Sequence, residues 1–418
     1  MVISKGSPKA ILSEEDVRSI LHEGIPRDLY ERKRVLVLTP DGTRTCPLPM
    51  MVRLVQEVIG SRAARLDFMV ALGTHTPLSE EGILSLYGID PRLKPLCESS
   101  FFNHEWNRTE TFRCIGTLSR EEVERLSGGI LKEEVRIEIN RKIFDYDLLL
   151  VLGPVFPHEV VGFSGGAKYF FPGVSGGDLL HFSHWLAAVI TCMEVIGKKD
   201  TPVRRMIHRA MKAISVPVHC LAMVVDMDST LRGLFAGGIE EAWSAAADLS
   251  SHIHVRAKRK PYRLVLGRAP AMYDEIWTAG KVMYKLEQVV ADQGTLIIYG
   301  PHIREISRTW GKEIERAGYH TRDYFLCRMQ EFKDVPRGVL AHLTHVRGTG
   351  VLAEGWEKPR IKVVLATSIP EATCRKVNLE YMNPDLIRLS DYMDREDEGV
   401  LFVDHAGEIL YRLERIEA

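Results

Sequence analysis

Residues 157–184 read PHEVVGFSGGAKYFFPGVSGGDLLHFSH, one lysine, Lys168, set between imidazoles at His158, His181 and His184 in a bed of six glycines. A lysine walled off from water can lose its proton and become a nucleophile. An imidazole, with an ordinary pKa of about 6.5, can move protons near neutral pH or bind a metal. Glycines let backbone approach a bulky group closely. The run GFSGGAK is superficially like a phosphate-binding loop, but Ala167 precedes the lysine and Tyr169 stands where a magnesium-holding hydroxyl residue belongs. Triphosphate chemistry is therefore not expected. His181 and His184 are three apart on a predicted helix and lie on adjoining faces. They match no recognised zinc signature, and a lone histidine needs further ligands to hold a metal.

Two more polar clusters carry chemistry: TPDGTR at 39–44, with Asp41, Thr43 and Arg44, and GTHTP at 73–77, with His75. Each of the three clusters directly follows an apolar run: RVLVL at 34–38, DFMVAL at 67–72 and YDLLLVL at 146–152. Such runs, bounded by turn residues, read as buried strands. In open α/β sheets the ligand crevice lies beyond the carboxyl ends of the strands. Asp41, Arg44, His75, His158 and Lys168 are thus expected to converge. Taken singly, Asp41 is a turn residue, His75 a cap, Arg44 a surface cation and Lys168 a solvated lysine. Their shared position after strands weighs against reading all of them that way.

Helices are predicted at 48–61, after Ser79 with Glu80 and Glu81 at its positive end, at 178–196 and in AGGIEEAWSAAADL. A hairpin is predicted from 218–226 and 231–235. VRAKRKPY at 255–262 reads as a linker, after which strand and helix alternate again through YRLVLG, a helix near 275–291, TLIIYG and IKVVLA at 361–366. The segment GVLFVDHAGEILYRL has a strand–turn–strand pattern. The expected fold class is α/β, with two α/β domains and a site in the cleft between them. Residues 1–258 would form the N-terminal catalytic and cofactor-tethering domain and 259–390 a smaller C-terminal one. A tail at 391–418 would pack back on the first.

The whole chain narrows the classes. Its 418 residues carry a net charge of −1, which gives no electrostatic case for nucleic acid or an anionic membrane. Its seven cysteines are scattered singly with no CxxC, against a disulfide framework or a sulfur-rich metal site. Reduced thiols and a cytoplasmic setting are expected. The N-terminus has no apolar run of signal-peptide or membrane-span length.

With these motifs in hand, the sequence resembles the lactate racemase family, whose members carry a nickel-pincer nucleotide. The likeness runs through PDGTR, GTHTP followed by SEEG, PHEVVGFSGGAKYFFPGVSGGD with His184 after it, LFAGG before a helix, and WTAGK. The resemblance implies that Lys168 is joined covalently to the cofactor and that His184 completes nickel coordination, leaving His181 out. It implies that His75 and His158 are paired acid/base groups, that Arg44 binds substrate, and that Lys281 faces the site. Asp41, Thr43, Gly165, Gly166 and Trp277 would contact cofactor.

The implied function is racemisation or epimerisation of a 2-hydroxy acid by reversible hydride transfer to the cofactor, one histidine taking the hydroxyl proton and the other returning it. Implied partners are a small hydroxy acid and the cofactor's biosynthesis proteins; a homo-oligomer is left open. The chain departs from the family at Thr278 for a common glutamine, Trp277 for tyrosine, Thr76 for arginine, and PHIREIS for an acidic, Gly-containing stretch. These departures leave open a sugar acid or other polyol, reaction at another carbon, or a non-catalytic nucleotide-binding homologue. A zinc hydrolase using His181, His184 and Glu159 is a further alternative.

Overall fold

The computed structural model describes residues 1–93 and 95–414. The chain forms two compact units. Met1–Phe156, Phe163–Leu180 and Lys199–Ile253 make the first; Pro157–Gly162, His181–Lys198 and the chain from His254 make the second.

The first unit is built on seven strands: β1 (Ile3–Gly6), β2 (Arg34–Thr39), β3 (Arg65–Val70), β4 (Phe101–Asn103), β5 (Leu148–Pro154), β6 (Val218–Val225) and β7 (Leu231–Gly237). Their order in the sheet is β1-β7-β6-β5-β2-β3-β4. From β6 to β4 every pairing is parallel, while β7 and β1 are antiparallel additions. All seven residues of β5 and the last five of β2 and β3 are buried. Strands buried along nearly their whole length in this way belong to a parallel sheet covered on both faces. The chain runs from β2 through β3 to β4 in one direction, then returns to lay β5 and β6 on the other side of β2. The reversal between β2 and β5 is a topological switch point, where such folds open a crevice at the strand carboxyl ends.

Helix α1 (Leu48–Val55) winds into a looser π turn over Gln56–Gly60. The long helix expected at 178–196 is broken: α2 (Gly177–Ile190) ends at Thr191, whose φ of 95° starts a separate turn, Cys192–Val195. A β-branched residue at positive φ is a steric outlier that no hydrophobic periodicity signals. The predicted hairpin is β6 and β7, and α3 (Ile239–His254) follows it.

The second unit has a five-stranded, all-parallel sheet of β8 (Tyr262–Arg268), β9 (Val290–Gly300), β10 (Lys362–Thr367), β11 (Glu380–Tyr381) and β12 (Val400–Val403). Its order is β11-β10-β9-β8-β12, so direction reverses between β8 and β12. Helices α4 (Ile276–Leu286) and α5 (Arg337–Arg347) also lie in this unit, and a Cβ at Gly280 of α4 would come 2.9 Å from Val346 of α5. Two expectations need correction here. The segment expected as a linker contains a strand, Val255–Lys258, paired in parallel with Leu410–Leu413. The tail expected on the first domain instead gives β12 to the second unit's sheet, beside β8. Both are long-range pairings, which local composition does not encode. Among the described residues no helix is long and apolar enough to cross a membrane.

Candidate active site

The first unit brings Asp41, Thr43, Arg44, His75, Gly165, Gly166 and Lys168 to the carboxyl ends of the adjacent strands β5, β2 and β3. After β2 the chain turns on Asp41, whose Oδ1 accepts from the Thr43 amide at 3.0 Å and the Thr43 hydroxyl at 2.7 Å. This Asx turn fixes the carboxylate plane. The other oxygen, Oδ2, meets Nδ1 of His75 in a close ion-paired hydrogen bond. Burial alone would raise the Asp41 pKa, but the His75 charge and the bonds from His75 and Thr43 outweigh it and hold the carboxyl well below its usual range. An ionised carboxylate only accepts, so the proton between them belongs to His75 Nδ1. In the neutral form of the ring the lone pair would then sit on Nε2, the tautomer a general base requires.

Arg44 stands three residues on, its Nη1 buried and without a hydrogen-bond partner among the described residues. Leaving a buried charged donor unpaired is costly, so the geometry calls for an anion such as a carboxylate.

The lysine loop follows β5. Gly165 and Gly166 have φ of 79° and 56°. A Cβ on the first would lie 2.7 Å from Val155 and on the second 2.8 Å from Trp243. Trp243 is itself pinned, its indole N–H donating to the Ser164 carbonyl at 2.8 Å and its ring 4.1 Å from the Arg204 guanidinium. Lys168 is partly exposed between buried Ala167 and Tyr169. The Tyr169 phenol packs on Gly153 of β5, where any Cβ would overlap it. Burial, then the nearby Cys46 and Asp41, push the phenol pKa far up, so Tyr169 is neutral. The amine therefore rises from a rigid backbone cradle that only glycine can form.

The second unit holds the remaining predicted residues. His158 is 4% exposed, and its Nδ1 accepts the Val160 amide at 3.1 Å, with Glu159 Oε2 at 3.5 Å. His184 and His181 are half-buried on α2. The Nδ1 of His184 lies 3.4 Å from the Ser183 hydroxyl, and that of His181 accepts the Gly338 amide at 3.3 Å. Lys281, buried in α4, lies 4.7 Å from the centroid of the Tyr273 ring. Trp277 packs on His342 with centroids 4.4 Å apart, and the Thr278 hydroxyl donates back to the Glu275 carbonyl at 3.0 Å. Among the described residues no three His, Cys, Asp or Glu side chains gather as a metal site. The zinc hydrolase alternative, with three protein ligands, thus lacks its ligand set.

A buried cluster around Glu159 is absent from the sequence-based set of site residues. His342 bonds Tyr284 through Nδ1 at 2.8 Å and Tyr319 through Nε2 at 3.3 Å. Burial lowers the pKa of His342 to about 3 and of His345 to about 4, while the Glu159 charge pulls both upward. Lys285 donates to the Pro157 carbonyl at 2.7 Å, tying α4 to the His158 segment. Two histidines three apart on an otherwise apolar stretch, LAHLTHV, were the available signal.

The chain is similar to known proteins in sequence and in fold. Residues 13–194 match the family model of the lactate racemase N-terminal domain. A lactate racemase of Thermoanaerobacterium thermosaccharolyticum is 27% identical over 398 residues, 90% of this chain and 83% of that protein. The lactate racemase of Lactiplantibacillus plantarum is 23% identical over 302 residues, 68% of this chain and 65% of its own length. A Thermotoga maritima protein of known crystal structure superposes with a TM-score of 0.88 at 33% identity, covering 98% of this chain and all of that one. The lactate racemase apoprotein of T. thermosaccharolyticum superposes at 0.73 with 20% identity, covering 96% and 94%. The chain is thus similar in sequence to lactate racemases, and its residues 13–194 match the N-terminal domain of that family.

Proposed function

We propose that the protein is an isomerase, a nickel-pincer nucleotide-dependent racemase or epimerase of a 2-hydroxy acid. The observation that carries the reading is the switch-point constellation of the first unit: a carboxylate-oriented histidine, a half-buried arginine whose enclosed Nη1 has no acceptor among the described residues, and a lysine in a glycine cradle. The residues fit the cofactor. Lys168 would offer the tethering amine, and His184 would supply an imidazole for the nickel. When bound, the cofactor supplies a hydride-accepting ring, so the hydrogen on the substrate carbon need not leave as a proton.

The chain's own residues do the rest. Arg44 binds the substrate carboxylate in two-pronged fashion. His75, with its Nδ1 proton held by Asp41, takes the hydroxyl proton at Nε2, and His158 delivers or receives the proton of the opposite hand. Lys281 steadies developing charge on oxygen. Partners on this reading are the hydroxy acid and the proteins that make the cofactor. The departures at Trp277 and Thr278 favour a substrate other than lactate, such as a sugar acid, as the second reading. The deciding experiment is intact mass of the chain produced together with the cofactor-making proteins. An adduct present in the native sequence and lost in Lys168→Ala is expected; no adduct would overturn the proposal.

A further inference from the structure

None of the predicted site residues lies on β4, yet the segment leaving that edge strand grips both loops that carry them. β4 ends at Asn103, and His104, Glu105 and Trp106 follow. The Trp106 indole N–H donates to the His75 carbonyl at 2.9 Å, while its ring packs against the first unit's core. The His75 N–H is also engaged, by the Leu72 carbonyl at 2.9 Å. Both backbone groups of His75 are therefore anchored, and its ring is held by Asp41. Asn103 closes the far end of the same loop. Its side-chain amide donates to the Leu78 carbonyl at 2.7 Å and accepts the Leu78 N–H at 3.2 Å.

The lysine loop is caught by the same segment. His104 donates from Nε2 to the Ser175 carbonyl at 3.3 Å, and its backbone N–H donates to the Val70 carbonyl, at the end of β3, at 3.1 Å. Backbone bonds complete the joint. The Gly173 N–H donates to the Lys168 carbonyl and the Gly73 N–H to the Gly173 carbonyl, each at 2.9 Å. A Cβ on Gly173 would overlap the Tyr169 carbonyl, so this close approach of the two loops needs glycine. Reacting groups must be held to a fraction of an ångström, which loops achieve only through rigid partners of this kind.

We propose that Trp106 is a positioning residue for His75, and that with His104 it sets the separation of the His75 imidazole from the Lys168 amine. The proposal rests on the roles given to His75 and Lys168 above. Without the indole the His75 carbonyl can turn toward water, and the ring moves with the backbone that carries it. The loss should then fall on the chemical step rather than on substrate affinity.

Three measurements test it. In the full chain without cofactor, the Trp106 indole N–H should exchange with solvent far more slowly than that of Trp356, which is 74% exposed. Equal rates overturn the proposal. In chain labelled with ¹⁵N-histidine, Trp106→Phe should shift or broaden the His75 ring signals. Those of His219, bonded to the Gly24 carbonyl, should stay in place and report an intact fold. Unmoved His75 signals overturn the proposal; if the variant fails to fold, the exchange measurement on the unaltered chain decides. In cofactor-loaded enzyme, Trp106→Phe should keep the Lys168 adduct and lower kcat by about 10- to 100-fold with KM nearly unchanged. Trp106→His, which restores a ring N–H, should recover part of the loss. Unchanged kcat, or a loss expressed in KM alone, overturns the role given to Trp106. Absence of an adduct in every form strikes the racemase reading instead, and the two cofactor-free measurements still decide whether Trp106 anchors His75.

Discussion

Replacing Asp41 by asparagine is the sharpest test of the first unit's site, because the structure dictates which way the new amide must face. Oδ1 of Asp41 already accepts two hydrogen bonds from Thr43, at 3.0 and 2.7 Å. An asparagine keeps those bonds only by leaving its carbonyl oxygen in that place, which puts its NH₂ against His75 Nδ1. The amide then donates where the carboxylate accepted. Nδ1 must give up its proton, the ring proton moves to Nε2, and the lone pair that serves as base is lost. A charge-assisted hydrogen bond worth about 1.5–3 kcal/mol also disappears. The same exchange of carboxylate for amide behind a catalytic histidine costs roughly 10⁴ in kcat in serine proteases, so a fall of about 10³ to 10⁴ is expected for Asp41→Asn. That corresponds to roughly 4–5.5 kcal/mol of transition-state stabilisation. The assay is interconversion of stereoisomers by cofactor-loaded enzyme, read beside the ¹⁵N ring spectrum of His75. A folded variant that loses less than about tenfold, or a His75 still protonated at Nδ1, would refute the tautomer argument.

Other outcomes follow from the packing. Gly166→Ala places a methyl group 2.8 Å from Trp243 at a φ of 56°, and the combined steric and backbone penalties should lower unfolding free energy by about 2–4 kcal/mol in a urea titration. A change below about 0.5 kcal/mol, the size of an ordinary surface substitution, would show that the cradle yields. His104 is lowered to about 4, chiefly by burial. Its Nδ1 lies 3.2 Å from the Asn140 side-chain nitrogen and its Nε2 3.3 Å from the Ser175 carbonyl. The unfolded chain binds this proton near pH 6.5 and the folded chain only near 4, so stability is complete above 6.5 and drains away as pH falls between those values. The loss from this group is at most about 3 kcal/mol. Urea midpoints at pH 7 and 4.5 should show a smaller acid shift in His104→Gln than in the unaltered chain, and an equal shift would refute the assignment.

What was legible in the sequence was whatever local pattern can encode. Apolar runs ending in TPDG, GTHT and GPVF mark β2, β3 and β5, and Asp41 and His75, just beyond the first two, are hydrogen-bonded to each other. Sheet order is a different matter. That β5 returns to lie beside β2, creating the switch point, depends on which edges remain open after β3 and β4 are placed. The Asp41 and His75 bond spans 34 positions, and nothing in either cluster names the other as its partner. For the same reason VRAK looked like a linker: its charged alternation is that of an exposed ribbon, and its partner strand lies at the far end of the chain. Thr191 was illegible because its positive φ is imposed by tertiary packing against its own steric preference.

Two of the residues that part from the family pattern, Trp277 and Thr278, lie in a segment with little freedom to adapt singly. Trp277 rests on His342, and both ring nitrogens of His342 are engaged, one by Tyr284 and one by Tyr319. Tyr284 is fixed in turn, since its hydroxyl fills the space a Cβ on Gly280 would need. The imidazole cannot flip or slide without breaking a buried hydrogen bond, so the indole has a floor of fixed height. A tyrosine in place of Trp277 would cover less of that floor and leave the His342 face open. If α4 turns Lys281 toward substrate, as the family resemblance implies, Trp277 and His342 act as one rigid unit. Substrate preference should then shift when the two are changed together, more than either single change would produce, because residues in contact couple.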